Sequence, residues 1–264
     1  MSPTPIAGRI FGHVIKNNCL IPVTARLFVV ALLLTCAACK TGQQTAANSK
    51  SIAVENRTLE KDERKLFLAD LAKNYPPYTQ LSVNFTLKGK IENQEQYFQG
   101  SIQSTPDLLE ITMTDAVFLS PLITLKIGKE RVTLKDHARN KTETLPRAEY
   151  QWVELFGRYF PVVFFEPLMR GFFPVIFTSD ETKLSQTPAG EIQLRGETAV
   201  FEFAGYCNNK RLEKLFYRDK AKNDVIAFQM GKFFEDRPYP QALKIELVNK
   251  DDFLTMNFKN LKVK

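Results

Sequence analysis

The chain has 264 residues, with 36 Lys and Arg against 29 Asp and Glu, and only 4 Cys and 2 His. The net charge is +7 over the whole chain and +4 without residues 1–38, and the latter is a mild basic excess that argues against a nucleic-acid partner. The scarcity of histidine and cysteine argues against a zinc site, and the sequence has no glycine-rich phosphate loop, so we expect no metal and no other cofactor.

The first 38 residues have the features of a signal peptide. They carry three basic residues and no acidic one: Arg9, Lys16 and Arg26. The apolar run at 27–34 is too short to span a bilayer, and the small residues Ala37 and Ala38 precede Cys39. We therefore predict that residues 1–38 are removed, which lowers the net charge from +7 to +4, and that the mature chain begins at Cys39.

The residues before Cys39 resemble the lipobox of bacterial lipoproteins, although Cys36 stands where that family usually has Leu. In that family the cysteine thiol takes a diacylglycerol and the new amino terminus takes a further acyl chain such as palmitate, which anchors the protein stably. Lys40 follows, instead of the Asp that resembles an inner-membrane retention signal. The resemblance implies a lipid anchor at Cys39 in the outer membrane, with the folded body facing the periplasm.

Other interpretations of this segment remain open. Cleavage before Cys36 would place Leu33 at the lipobox position but would put Thr35, which fits less well, immediately before the cut. An uncleaved anchor would need about 20 apolar residues. A redox pair of Cys36 and Cys39 would need a strand before it and a helix after it. A translation start near Val14 would leave the mature chain unchanged.

Residues 39–56 are small and polar, which is typical of a flexible tether, and residues 57–264 are predicted to form a single domain of roughly 210 residues. The domain opens with an amphipathic helix that ends at Pro76-Pro77. Its predicted buried face holds apolar residues at helical spacing: Leu59, Leu66, Phe67, Leu71 and Tyr75.

After these prolines the apolar period changes from that of a helix to that of a strand, as in residues 81–91, where apolar and polar residues alternate. Further short strands are predicted at 97–103, 108–114, 122–127, 131–135, 192–195, 199–203, 211–217, 225–230, 243–248 and 253–263. The pattern predicts a mainly β fold, in which ten or eleven antiparallel strands form a curved sheet or unclosed half-barrel covered by short helices.

Residues 146–177 interrupt the strand pattern. A helix is predicted from Pro146 through Phe156, and seven phenylalanines lie between Phe156 and Phe177. Three prolines and Gly171 exclude one long helix, so we expect short helical pieces joined by turns. These aromatic side chains either plug the sheet or form a movable lid over an apolar cavity.

The order of signal peptide, tether, helix, strand meander, aromatic insert and second run of strands resembles the outer-membrane lipoprotein receptor family (LolB-like), whose half-barrel is shared with the periplasmic lipoprotein carriers. The local similarity lies at 119–136, where Pro121-Leu-Ile, a strand, a Gly128-Lys129 turn and a strand are similar to the family's Pro-Leu-Gly turn, strand, short turn and strand. Ile123 replaces the family's Gly.

In that family, the loop between the third and fourth strands exposes an apolar residue that touches the membrane when cargo is delivered. The resemblance places Val117, Phe118 and Leu119 in this loop. An alternating strand cannot bury three adjacent apolar residues on one face, so they either fold back under the lid or protrude.

The leading hypothesis is a non-enzymatic, membrane-anchored chaperone that binds acyl chains in an apolar cavity and transfers lipoprotein, or another lipid, to the outer membrane. We expect a monomer whose partners are acyl chains, the membrane and a periplasmic carrier protein. The expected cavity walls are inward-facing strand residues: Phe85, Leu87, Ile111, Leu125, Phe201, Phe203, Phe228, Ile245 and Phe258. The expected lid residues are Phe160, Phe164, Phe165, Phe172 and Phe173.

Two alternatives belong to other classes of protein. A structural or assembly lipoprotein would have the same sheet fully packed and would dock a protein partner on one surface. An enzyme with a Ser-His-Asp site would have to use His137, the single histidine left after processing, which lies in a polar stretch that is typical of a turn. Hydrolase activity lost on His137→Ala would support the enzyme.

Overall fold

The computed structural model describes residues 56–91, 93–155, 158–235, 237–248 and 250–264. The predicted signal peptide (1–38), the predicted lipid-bearing Cys39 and the tether up to residue 55 lie outside the described residues. Those three assignments stay predictions.

The described chain forms two α-helices, α1 (Lys61–Asn74) and α2 (Val162–Arg170), and two 3₁₀ turns (Arg147–Glu149 and Val175–Thr178). The strands are β1 (Arg57–Thr58), β2 (Leu81–Ile91), β3 (Gln94–Ser104), β4 (Leu108–Asp115), β5 (Pro121–Gly128), β6 (Arg131–Asp136), β7 (Lys141–Pro146), β8 (Trp152–Leu155), β9 (Arg158–Pro161), β10 (Lys183–Gln186), β11 (Ile192–Glu197), β12 (Phe201–Asn208), β13 (Arg211–Asp219), β14 (Val225–Phe233), β15 (Pro240–Leu247) and β16 (Phe253–Val263).

Fourteen of these strands form one antiparallel sheet, and β8 and β9 form a separate hairpin. The sheet runs from β1 and β10 through β16, continues with β2, which pairs with β16, and ends at β7. Its two edge strands, β1 and β7, are not paired with each other. The predicted fold class, a mainly β, curved and unclosed antiparallel sheet with a helical cover, is confirmed.

The number of strands exceeds the ten or eleven that the sequence predicts, because several strands lack an apolar alternation. The polar strand β7 pairs along its whole length with β6, and the four-residue β10 pairs with β11. Such strands form because their backbone groups complete the ladder of a neighbour. Side-chain periodicity does not report that contribution.

Alternation along the long strands creates the buried face of the sheet. In β2, Leu81, Val83, Phe85 and Leu87 are buried, while the side chains between them are half-buried or exposed. Successive side chains of a strand point to opposite faces, so one face of the sheet becomes continuously apolar. Full burial of each such side chain stabilises the fold by about 1.5–3 kcal/mol.

Because neighbouring strands are antiparallel, alternate connections lie at the same end of the sheet. We call one end the rim; it carries the connections β2–β3, β4–β5, β6–β7, β11–β12, β13–β14 and β15–β16. We call the other end the base; it carries the connections β3–β4, β5–β6, β10–β11, β12–β13 and β14–β15.

Helix α1 forms and ends as predicted, but its buried face is narrower. It starts with a capping box between Glu60 and Glu63 and buries Leu71, and Phe67 packs against the core. The prediction that Leu66 belongs to this face is wrong, since Leu66 is 67% exposed. At about 100° per residue, Leu66 lies about 140° around the helix from the buried Leu71, whereas Phe67 and Leu68, which pack against the core, lie within about 60° of it.

The helix predicted from Pro146 through Phe156 is wrong. Its first part is the 3₁₀ turn Arg147–Glu149, and its second part is strand β8, which pairs with β9. A short run of aromatic and β-branched residues such as Trp152 and Val153 can form either a helix or a strand, and pairing with the following strand decides in favour of the strand.

Short helical pieces do form in the rest of the insert, as predicted. Helix α2 contains Pro167 and is capped at its C-terminal end by Gly171, which has a φ of +70°. The amide of Phe172 donates to the carbonyl of Pro167 at 2.8 Å and closes the helix end. A glycine is favoured here because other residues rarely adopt this left-handed conformation.

Candidate acyl-chain core and exposed loop

Helix α2 places its aromatic side chains against the concave face of the sheet. The ring of Phe164 is buried, and its centroid lies 5.5 Å from that of Phe201 and 5.7 Å from that of Phe203. Phe177, from the second 3₁₀ turn, contacts the same cluster, with its ring centroid 5.9 Å from that of Phe164. The insert therefore covers the half of the sheet formed by β11 to β14.

The residues predicted as lid and walls separate into two groups by burial. Phe160, Phe164 and Phe165 of the predicted lid are buried, whereas Phe172 and Phe173 are half-buried. All nine predicted wall residues are buried on the inner face: Phe85, Leu87, Ile111, Leu125, Phe201, Phe203, Phe228, Ile245 and Phe258. Their position suits walls and lid, and their role in binding an acyl chain stays a prediction.

An apolar crevice opens at the rim, between the insert and the sheet. It encloses about 20 Å³, and its lining includes Ile91, Phe160, Ile226, Ile245 and Leu254. A volume of this size is about what one water molecule needs. The aromatic side chains thus largely fill this region, and an acyl chain could enter here only if the insert moved.

A buried arginine joins the insert to the base of the sheet. Arg170, the last residue of α2, is only 8% exposed. Its guanidinium donates to the hydroxyl of Ser104 at 3.0 Å, to the carbonyl of Thr105 at 2.6 Å and to the carbonyl of Ile127 at 3.4 Å. Glu166, one turn earlier, accepts from Arg170 at 3.0 Å. A buried charge is tolerated when it is paired and hydrogen-bonded in this way.

The second carboxylate oxygen of Glu166 is also paired, because it accepts a hydrogen bond from Arg147 at the start of the insert. The three side chains therefore link both ends of the insert to each other and to the sheet. Sequence reasoning missed this cluster. The spacing of Glu166 and Arg170 by four residues on a helix was the available signal, but it usually marks a solvated pair.

Two buried tyrosines hold the C-terminus of α2. The hydroxyl of Tyr78 donates to the carbonyl of Arg170 at 3.0 Å and contacts the hydroxyl of Ser104 at 2.7 Å. The hydroxyl of Tyr239 donates to the carbonyl of Met169 at 3.2 Å. Burial raises the pKa of both phenols, so both remain neutral donors at physiological pH. They satisfy carbonyls that a helix end leaves without an intrahelical partner.

The loop between β4 and β5 exposes three adjacent apolar side chains at the rim. Val117 is 79%, Phe118 82% and Leu119 63% exposed. The loop has a defined shape, because one carboxylate oxygen of Asp115 accepts from the amides of Val117 and Phe118, each at 2.8 Å. Leu119 adopts a φ of +55°, a conformation that is unfavourable for a branched side chain. Contact of this loop with a membrane stays a prediction.

His137 lies in the turn between β6 and β7, as the sequence predicts, but its side chain is half-buried. One ring nitrogen is hydrogen-bonded to the hydroxyl of Thr124 at 3.0 Å. The neighbouring Asp136 accepts from the amide of Arg139 at 3.0 Å and so fixes the turn. These contacts hold the His137 ring and the Asp136 carboxylate within the turn.

A shallow groove lies on the outer face of the sheet across β10 to β13. It encloses about 780 Å³, and its lining includes Lys183, Arg195, Glu202, Ala204 and Phe216. Its lining combines apolar side chains with charges of both signs.

Fold and core together define a half-barrel protein whose aromatic interior is closed by a helical insert. A domain from Vibrio parahaemolyticus named for outer membrane lipoprotein sorting has a similar structure, with 9% identity and a TM-score of 0.54 over 75% of this chain and 91% of that chain. A LolA superfamily protein from Nitrosomonas europaea matches with 8% identity and a TM-score of 0.46 over 76% of this chain and 93% of that one. A DUF1329 family protein from Desulfovibrio piger matches with 7% identity and a TM-score of 0.49 over 77% and 92%.

The similarity to the Vibrio domain shows a shared fold. It does not distinguish the LolB-like receptors from other proteins with this half-barrel, so membership in that family stays a proposal. No protein-family model matches the chain, and no curated protein sequence does. Within the described ranges, no helix has the length and apolar character needed to cross a membrane.

Proposed function

We propose that this protein is a non-enzymatic, LolB-like lipoprotein that binds acyl chains beneath its insert and delivers lipoprotein, or another lipid, to the outer membrane. The observation that carries the proposal is the position of the aromatic core. Phe160 and Phe164 of the insert cover the apolar concave face of the sheet. Displacement of the insert would therefore expose this face as a continuous apolar surface. Such a surface gains about 25 cal/mol per Å² on contact with an acyl chain.

The exposed loop supports delivery to a membrane. The carboxylate of Asp115 accepts from the amides of Val117 and Phe118 and so holds the loop in shape. The three apolar side chains lie at the rim, where the apolar crevice also opens. An apolar loop at the opening would bring the cargo site to the bilayer surface. This arrangement suits transfer, because the acyl chain would then leave the core directly into lipid.

A lipid anchor and a carrier protein complete the proposed function. A lipid on Cys39 would hold the protein at the outer membrane, with the half-barrel in the periplasm. The 17 residues from Lys40 to Asn56 reach at most about 60 Å when extended. Strand β2, with 11 residues, is only about 36 Å long, so the rim can face the anchoring membrane. A soluble carrier protein would supply the cargo to a monomeric receptor.

Fluorescence of the single tryptophan tests acyl-chain binding. Trp152 lies in the insert, and its ring centroid is 6.3 Å from that of Phe201 in the core. A brominated stearate that enters the core should quench Trp152 in a saturable manner, whereas brominated propionate should not. An absence of quenching by the long chain, in protein with a normal melting transition, would contradict the proposal.

The filled interior and the groove on the outer face favour a second candidate function. If the aromatic insert is a permanent plug, the protein would be a structural or assembly lipoprotein that docks a protein partner in the groove around Ala204 and Phe216. In that case a lipophilic dye should stay in water, and Phe216→Glu should abolish the partner's binding without changing the fold.

A further inference from the structure

The end of the β15–β16 hairpin separates two depressions. On the inner side is the apolar crevice, and on the outer side is a depression of about 640 Å³ whose lining includes Lys90, Phe216, Gln229 and Lys250. Four residues line both depressions: Glu246, Leu247, Asp252 and Phe253. The hairpin end is therefore a thin wall between an apolar interior and a charged exterior.

The inner side of this wall can accept only an apolar group. Ile91, Ile226 and Leu254 surround the crevice, and Phe160 closes it from the insert side. The ring of Phe160 packs edge-on against Phe228, with centroids 5.8 Å apart. Because Phe160 belongs to the β8–β9 hairpin rather than to the main sheet, movement of that hairpin would extend the crevice toward Phe228 and the aromatic core.

The outer side of the wall carries charges of both signs. Lys90 and Lys250 are the cations of its lining, and Glu246, Asp251 and Asp252 are the anions. Glu246 is neutralised by neighbours, since it accepts from Gln229 at 2.7 Å and pairs with Lys244 at 2.5 Å. Among the residues that the structure describes, no carboxylate pairs with Lys90 or Lys250 and no cation pairs with Asp251. The two lysines can therefore bind a phosphate, and Asp251 can bind an ammonium group.

We propose that the end of the β15–β16 hairpin is the entrance to the core, and that it takes an amphiphile with an acyl chain and a zwitterionic phosphate-containing head group. The acyl chain passes over the end of the hairpin and lies against Ile91 and Leu254 in the crevice, while the head group stays outside at Lys90 and Lys250. The inference rests on the proposed acyl-chain binding, and it adds the route and the class of head group.

The route is tested by blocking it after folding. In a chain with Cys19, Cys36 and Cys39 replaced by Ala, Phe253→Cys provides an accessible thiol, because Phe253 is 38% exposed and lines both depressions, while the native Cys207 is buried. A bulky maleimide on residue 253 should weaken quenching of Trp152 by a brominated lysophosphatidylcholine by at least about tenfold in apparent Kd. The matched control is the same label on Val175→Cys, an exposed position outside both depressions, which should leave the Kd unchanged.

Unchanged binding after complete labelling at residue 253 would overturn the proposed entrance but would leave the proposed acyl-chain binding intact. No quenching in the unlabelled parent would instead overturn the proposed function, and the entrance with it. The two failures are therefore distinguishable in one titration series.

The head-group assignment is tested with charge variants. Lys90→Gln with Lys250→Gln should weaken binding of the brominated lysophosphatidylcholine several-fold but leave binding of an uncharged brominated octadecanol unchanged. Lys61→Gln with Lys65→Gln on α1 makes the same change in net charge outside both depressions and should affect neither ligand. Equal weakening of both ligands, or of neither, by the rim variant would overturn the head-group site.

Discussion

The guanidinium of Arg170 at the end of α2 donates a 3.0 Å hydrogen bond to the hydroxyl of Ser104 at the base end of β3. This contact fixes the C-terminal end of the helical insert to the sheet, while the exposed loop and the crevice lie at the opposite end of the sheet. If the insert moves to admit an acyl chain, the geometry favours a hinge at the base and an opening at the rim.

Replacement of Arg170 by Met should loosen the insert. We expect the free energy of unfolding to fall by about 3 kcal/mol, at the lower end of the range for broken buried ion pairs, since Glu166 keeps its bond to Arg147. Chemical denaturation measures this loss. Arg218→Met removes the exposed pair with Glu202 and should cost less than about 1 kcal/mol. Equal losses in the two variants would show that Arg170 does not hold the insert.

Replacement of both Phe118 and Leu119 by Glu should separate stability from membrane contact. Both side chains are exposed, so the melting temperature should hardly change, while binding to vesicles and transfer of cargo should fall. The control is Leu66→Glu, which changes an equally exposed leucine on α1 and should leave transfer intact. A stable double mutant with full transfer would rule out a membrane role for this loop. If Phe118 and Leu119 belonged to the core, the two introduced carboxylates would be buried and would unfold the protein.

Hydrogen exchange should distinguish a movable lid from a plug. If the insert opens, amides in residues 158–177 should exchange faster than those of β2 or β16, and they should slow when an acylated ligand is bound. Strong and equal protection with and without ligand would favour the plug. In that case Phe164→Ala should only destabilise the fold, by about 3–5 kcal/mol, through the cavity that it leaves.

Alkaline pH should unfold the protein through its buried tyrosines. Burial raises the pKa of Tyr75 to about 12, and it raises the pKa values of Tyr217 and Tyr239 as well. The unfolded chain ionises first, near pH 10, so the stability held by the neutral phenols is complete below that pH and is lost as the pH rises from about 10 to 12. Melting temperature and tyrosinate absorbance should change together in this window. Tyr75→Phe should flatten the decline, and a stability that stays level to pH 12 would contradict the assignment.

Mass spectrometry of the mature amino terminus should show a lipid on Cys39. An apolar run upstream and the two small residues before Cys39 are what processing requires. Cys39→Ala should leave the domain folded but release it from the membrane fraction. A mature chain that begins at Cys36, or one that retains residues 1–38, would contradict this prediction.

The sequence alone determined the sheet and much of its buried face. In β2 the alternation of Leu81, Val83, Phe85 and Leu87 with polar residues leaves one arrangement that buries the apolar side chains, because the period of a strand is two. The exposure of Phe118 was among the outcomes that the sequence allowed, since three adjacent apolar residues cannot share a buried face.

Tertiary structure decided the insert. Trp152 and Val153 occupy a hairpin rather than the predicted helix, because pairing with β9 supplies backbone partners that a local pattern does not encode. Arg170 is buried, although arginine usually lies at the surface, because Ser104, Thr105 and Ile127 come from distant strands to surround it. Periodicity reports which side of an element is apolar. Acceptors for a buried charge come from residues far apart in the chain, so only the folded arrangement could bring them together.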